Sequence, residues 1–170
     1  MSMMDEGAEE DRIVHISVGN WQFFAGETAV LRVGDIFPLA LGLTLRSRPV
    51  PVESSVPEFS HLGGGRYRAT SSYMERSGRY ILTSFFNALG PPIGPKMPTL
   101  LPKTMYQADM DFNIQTAYLY GPPIDCLYRW RVEFIFEKSG PTAGSTPSAV
   151  SAEGARAYLI GLQLVEGPIG

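Results

Sequence analysis

Residues 107–138 read QADMDFNIQTAYLYGPPIDCLYRWRVEFIFEK, and side-chain polarity alternates through most of this stretch. The first half sets apolar residues against polar ones, Ala108, Met110, Phe112, Ile114 and Tyr118 against Gln107, Asp109, Asp111, Asn113 and Gln115. The second half repeats the pattern, with Tyr128, Trp130, Val132, Phe134 and Phe136 against Arg129, Arg131, Glu133 and Glu137. Such alternation is typical of strands with one face on the core and the other in water.

The residues between the two halves indicate how these strands are connected. Gly121-Pro122-Pro123-Ile124-Asp125 can turn but cannot continue either strand. We therefore predict that residues 109–120 and 127–137 pair as an antiparallel hairpin. Its inward side chains would be Phe112, Ile114, Val132 and Phe134.

Shorter segments elsewhere in the chain predict further strands. They lie at 12–18, 21–24, 28–33, 36–46, 66–75, 79–86 and about 155–165. The loop 76–78 would place Gly78 at a left-handed bulge position and set Glu75 opposite Arg79. Long helices are not expected, because Pro or Gly interrupts the helical periodicity, although residues 155–164 alone would fit either a helix or a strand. About eight or nine strands with long loops predict an all-β fold, a mainly antiparallel β-sandwich of jelly-roll type or a closed barrel.

The domain organisation follows from length and composition. The chain of 170 residues fits one β domain, expected at 12–170. Residues 1–11 are acidic and lack apolar periodicity, which predicts a disordered tail. Segments rich in Pro, Gly or Ser predict flexible loops at about 47–65, 89–103 and 139–154.

Charge and cysteine content narrow the range of partners. Five of the 17 acidic residues lie in the first eleven positions, so the remainder is nearly neutral. A nucleic-acid partner is therefore not expected. The longest apolar run, 37–45, is too short to span a membrane, and the first residues lack the pattern of a signal peptide. These observations favour a cytoplasmic protein, in which the single cysteine, Cys126, is a buried thiol.

Candidate catalytic residues are few. His61 follows Glu58 and Ser60, from which a Ser-His-carboxylate arrangement could be assembled, but no nucleophile signature accompanies it. A second candidate is a carboxylate pair drawn from Asp109, Asp111, Glu133 and Glu137. If the predicted hairpin brought these carboxylates together, they could also hold a cation. Arg129 and Arg131 on the same face favour ion pairs instead, so no metal site is expected.

A cluster of arginine and tyrosine supplies the candidate binding residues. Gly63-Gly64-Gly65 precedes Arg66, Tyr67 and Arg68. A phosphate-binding loop needs a following helix, whereas the pattern here predicts a strand. Arginine alternating with tyrosine could stack on bases or sugars, but it is equally typical of a half-exposed sheet face. Arg129 and Arg131 are further candidates of the same kind.

These observations favour a non-enzymatic binding or protein-interaction module, without cofactor, whose partner is another protein or a second copy of the chain. Long loops on a rigid β scaffold are where such a protein would contact its partner. Two alternatives stay open: a small carbohydrate-active or other hydrolytic enzyme that uses the carboxylate pair, and a barrel that carries an apolar small molecule. Convergence of carboxylates in a cleft would favour the first, and a large apolar cavity the second.

Overall fold

The computed structural model describes residues 13–19, 31–76, 78–95, 97–114, 126–151 and 155–168. The strands in these ranges are β1 Ile13–Gly19, β2 Ile36–Leu45, β3 Val50–Val52, β4 Glu58–Gly63, β5 Arg66–Arg76, β6 Arg79–Thr83, β7 Asn87–Pro92, β8 Met105–Ile114, β9 Leu127–Ser139 and β10 Ala157–Glu166. No α-helix occurs in them, so none of the described segments could cross a membrane as an apolar helix. The predicted all-β fold is confirmed.

Five of the strands close into a barrel in the order β2, β7, β6, β5, β8, with β8 returning to β2. β2 and β7 are parallel, and the other pairs in the barrel are antiparallel. Large side chains fill the interior, among them Leu41, Tyr67, Leu82, Met110 and Phe112. Of the two architectures that the sequence leaves open, the closed barrel is therefore present.

A flanking sheet of β9, β10 and β1 grows from the same β2 strand. Residues 36–40 of β2 pair with β9, and residues 41–45 pair with β8. β2 therefore belongs to both sheets, and its middle residues are buried on both faces. β1 is bonded along its length to β10, and its even-numbered residues Val14, Ile16 and Val18 pack on the barrel core.

The predicted hairpin of residues 109–120 and 127–137 is wrong in its pairing. In the part of the chain that the structure describes, β8 bonds β2, β3 and β5, whereas β9 bonds β2 and β10. The predicted faces hold as far as Phe134, because Phe112, Ile114 and Val132 are buried and Phe134 is partly buried. Beyond Phe134 the prediction is wrong, since Ile135 and Glu137 are buried and Phe136 is exposed. The change of face follows an irregularity in the pairing of β9 with β10, where Phe134 lies opposite Gly161 and Val132 opposite Leu162. Alternation fixes which face of a strand is buried but does not choose its partner. Residues 115–125 lie outside the described ranges.

The second predicted hairpin is confirmed as β5–β6. Gly78 has a φ of 76°, the left-handed conformation expected at that position. The register differs by one residue from the predicted one, since Arg76 lies opposite Arg79 and Glu75 opposite Tyr80.

Strands also occur in stretches where the sequence predicts loops. β3 and β4 lie within 47–65, and β7 overlaps the start of 89–103. β3 accommodates Pro51 because it pairs on one side only, with β8. In the third stretch, 139–154, Val150 is buried and Ala149 bridges to Arg32. The predicted tail 1–11 and strand 21–24 lie outside the described ranges.

Candidate functional site

A groove of about 490 Å³ lies between β1 and β4 and is open to solvent. We call it the β1–β4 groove. Its lining residues are Ile13, His15, Pro57, Glu58, Phe59, Ser60, His61, Tyr67 and Phe85. The groove contains both histidines of the chain together with three aromatic side chains.

One wall of the groove is the edge of β4. The wall comprises Pro57 and the first four residues of β4, 58–61, and the side chains of those four point alternately to opposite faces of the strand. Because side chains from both faces of β4 border the groove, the groove runs along the edge of the strand. Within the described ranges β4 bonds only β5, so its other edge is available along this wall. Such an edge presents a row of backbone N–H and C=O groups.

The opposite wall is the outer face of β1, which carries Ile13 and His15. A hydrogen bond joins this wall to β5: the buried Tyr67 hydroxyl accepts from the His15 backbone N–H at 2.8 Å. Gly65 of the β4–β5 turn also lies close to the β1 backbone, because a Cβ at this position would be 3.1 Å from the Ser17 backbone nitrogen. The edge of β1 is thus held against the start of β5 by a tyrosine hydroxyl and a glycine contact.

The two histidine rings are in direct contact, with centroids 4.2 Å apart and planes inclined by 60°. The Nε2 atom of His61 lies 2.6 Å from the Gly64 carbonyl oxygen. A carbonyl can only accept, so His61 Nε2 is the donor, and in the neutral ring the lone pair lies on Nδ1. The Nδ1 atom of His15 is buried without a hydrogen-bond partner. Burial, reinforced by the nearby His61, lowers the pKa of His15 below 6.5.

The inner end of the groove is aromatic. The Phe59 ring contacts Phe85 at a centroid distance of 5.4 Å and Phe112 at 5.5 Å, which joins the groove to the core. Phe85 remains 47% exposed. The apolar crevice beyond, towards Phe86 and Leu164, has room for about 10 Å³, close to a single water molecule.

Two of the predicted carboxylates lie on the outer face of the barrel and are paired with arginine. Asp111 accepts from Arg46 at 2.6 Å and from Arg66 at 3.0 Å, and Asp109 accepts from Arg68 at 2.9 Å. We call these five residues the arginine–aspartate ladder. Partial burial would raise the pKa of Asp111, but the hydrogen bonds and charges of Arg66 and Arg46 outweigh it and lower the pKa below 3.8.

The other two predicted carboxylates lie on β9 and also pair with arginine. Glu133 accepts from Arg131 at 2.7 Å. Glu137 is 1% exposed and accepts from Thr142 at 2.6 Å and from Arg156 at 2.8 Å. The hydrogen bond from Thr142 is the main cause that lowers its pKa below 4.5, and Arg156 adds to it. These contacts attach the 140–145 loop to β9.

The two candidate binding arginines of β9 also have polar partners on the flanking sheet. Arg131 donates to Gln163 on β10, and Arg129 lies 3.4 Å from Glu166. In the described ranges no three His, Cys, Asp or Glu side chains converge as a metal site would require. The candidate carboxylates thus lie on two different sheets, each beside an arginine.

His61 lies in the groove with Glu58 and Ser60, but strand alternation turns it away from both. Residues 58 and 60 share one face of β4, and His61 belongs to the other. The His61 ring instead contacts His15 and Tyr67, at 4.2 and 5.0 Å. No hydrogen bond joins Ser60 to His61 within the ranges described, so the geometry of an activated serine is not assembled there.

The candidate arginines and tyrosine of β5 are separated by the same alternation. Arg66 and Arg68 are exposed and belong to the arginine–aspartate ladder. Tyr67 is buried and points towards the groove. A stacking surface that uses all three side chains is therefore not present on β5.

Sequence reasoning assigned no role in a site to five residues of the groove, Ile13, His15, Pro57, Phe59 and Phe85. His15 lies on the face of β1 opposite to its buried valines and isoleucine. That pattern predicts a surface position but does not predict contact with His61. The meeting of the two histidines depends on how β1 packs across the β4–β5 pair, which local patterns do not encode. No family model, curated protein or solved structure matches this chain, so its own geometry is the basis for a functional assignment.

Proposed function

We propose that this protein is a binding module whose β1–β4 groove takes an extended segment of a partner protein. The observation that carries the proposal is the edge of β4, which runs along the groove beside partly exposed aromatic side chains. Extended peptides commonly bind by adding a strand to such an edge, and pockets for alternate side chains then give specificity.

The lining of the groove divides into two parts that suit such a segment. Ile13, Phe59 and Phe85 form an apolar end for one side chain of the segment. Glu58 and Ser60 supply polar groups on the other face of β4. A volume of about 490 Å³ admits a few side chains but not a folded domain.

Other functions have less geometric support. A carboxylate-based hydrolase needs two carboxyl groups facing one cleft, whereas Asp109 and Asp111 are each paired with arginine on the barrel exterior. A carrier of apolar molecules needs an enclosed cavity, and the crevice beside the groove offers about 10 Å³. We therefore rank the peptide-binding function first.

The test is selection of a phage-displayed library of random dodecapeptides on the full chain, followed by affinity measurement of the selected peptides. Phe85→Ser should weaken their binding at least about tenfold, as truncation of an aromatic anchor does. Phe136→Ser is the matched control, because Phe136 is 36% exposed on β9 and does not line the groove. Binding should also slow amide exchange at residues 58–62, where a new strand would pair.

Two results would contradict the proposal. One is that selected peptides bind Phe85→Ser and Phe136→Ser equally well. The other is that bound peptide leaves amide exchange in β4 unchanged. Self-association through β4 would appear instead as a concentration-dependent dimer that Phe85→Ser disrupts.

A further inference from the structure

We propose that His15 and His61 together form a binding site for a divalent transition-metal ion such as Zn²⁺ or Cu²⁺. The chain has only two histidines, and folding brings their rings into contact at an open groove although they lie on β1 and β4. Imidazole nitrogen is a preferred ligand for zinc, copper and nickel. This proposal does not depend on peptide binding by the groove.

The separation of the rings is close to that of two imidazoles on one ion. With metal–nitrogen bonds of about 2.0–2.1 Å, the centres of two rings on one tetrahedral ion lie about 5.2 Å apart. The observed centroid separation is 4.2 Å. The rings would therefore need to separate by about 1 Å to admit the ion, and the exposed side chain of His61 is the one placed to shift towards the groove.

The hydrogen bonds of the histidines also suit metal binding. His61 donates from Nε2 to the Gly64 carbonyl, so in the neutral ring the lone pair lies on Nδ1. Metal-ligating histidines usually hold their second ring nitrogen in this way, because the bond fixes the tautomer and the ring orientation. His15 has a buried Nδ1 without a partner. A coordinate bond to that nitrogen would remove an uncompensated polar atom.

The surroundings define the kind of site. Each imidazole must present an unprotonated nitrogen to bind an ion. A third protein ligand of the His, Cys, Asp or Glu type does not converge on the pair among the residues described. The remaining coordination positions would therefore be filled by exchangeable water from the open groove. Such a site is suited to reversible binding rather than to a permanent structural role.

The experiment is calorimetric titration of the full chain with zinc chloride at neutral pH. Wild type should bind one equivalent, and His61→Gln should lower the affinity at least about tenfold. Asp111→Asn is the control for exposed carboxylates and should bind like wild type. His15→Gln should match His61→Gln, but the His61 variant decides the test if the His15 variant does not fold.

A spectroscopic measurement identifies the ligands directly. With one equivalent of Cu²⁺, nitrogen couplings in the electron paramagnetic resonance spectrum should indicate two imidazoles in wild type and one in His61→Gln. The proposal would be overturned by absence of zinc binding in wild type, by equal affinities of wild type and His61→Gln, or by a copper spectrum unchanged in that variant.

Discussion

The two sides of β5 differ in how completely their polar groups are partnered. On the outer side, Arg66 and Arg68 meet the aspartates of β8 in the arginine–aspartate ladder. On the inner side, Tyr67 leads to the β1–β4 groove, where His15 Nδ1 has no partner and Phe85 is half exposed. The most conspicuous charges in the sequence thus neutralise one another, whereas the groove retains groups that a ligand could satisfy.

The strongest test of this contrast is removal of Tyr67, which joins the groove to the core. Tyr67→Ala should lower the free energy of unfolding by about 3 to 5 kcal/mol, as for other large buried aromatic residues. Tyr67→Phe should cost only about 1 to 3 kcal/mol, because it leaves the His15 backbone N–H without its acceptor. Urea titration measures both values. Equal losses in the two variants would mean that packing of the ring contributes little.

Substitution in the arginine–aspartate ladder should change the free energy of unfolding much less than substitution of Tyr67. Asp111→Asn removes the acceptor charge for Arg46 and Arg66, both of which are about half exposed. Exposed ion pairs contribute little, so the loss should be at most about 1 kcal/mol and should shrink in high salt. The same urea titration, at low and high sodium chloride, checks this. A loss comparable to that of Tyr67→Ala would show that the two sides of β5 are equally important for stability.

The smallest expected effect is on the pH dependence of stability, because the groove and the ladder should lose stability in different pH ranges. The pKa of His15 is lowered from 6.5 by burial and by His61, so the unfolded chain binds more protons and stability falls as the pH drops through 6.5. The pKa of Asp111 is lowered from 3.8 by Arg66 and Arg46 in spite of burial, so its contribution is lost only below that pH. The free energy of unfolding should be measured as a function of pH in wild type and in both variants. In His15→Gln the decrease near pH 6.5 should be smaller than in wild type. In Asp111→Asn the decrease below pH 3.8 should be smaller. A decrease near pH 6.5 that is unchanged in His15→Gln would assign it to another group.

Much of the fold could be predicted because burial patterns are local. The alternation in β2 and the left-handed Gly78 between β5 and β6 each identify an element from its own residues. Partner choice could not be predicted, since β8 and β9 have the same alternation and both pair with β2 instead of with each other. β7 was obscured by Pro91 and Pro92, which the strand accommodates at its end.

Prediction of the candidate site was harder for a related reason. His61 is identifiable as one of only two histidines, but its contact with His15 depends on the packing of β1 across β4 and β5. Phe85 follows β6 in a segment without regular alternation, so its exposure beside the groove has no local signature. The carboxylates, by contrast, were recognisable as polar positions, but their partners were predicted only in part. Glu133 pairs with Arg131 as expected, whereas Asp109 and Asp111 pair with arginines outside β9. Glu137 was expected on the polar face and is instead buried beside Arg156.

The division of β2 between two sheets has a consequence for how the molecule opens. Because residues 36–40 bond β9 and residues 41–45 bond β8, β2 cannot detach from one sheet without disturbing the other. Partial opening of either the barrel or the flanking sheet alone is thereby disfavoured. Backbone amides at residues 39–43 should consequently exchange with deuterium only when the whole domain unfolds, which makes β2 the strand that unites the molecule into a single cooperative unit.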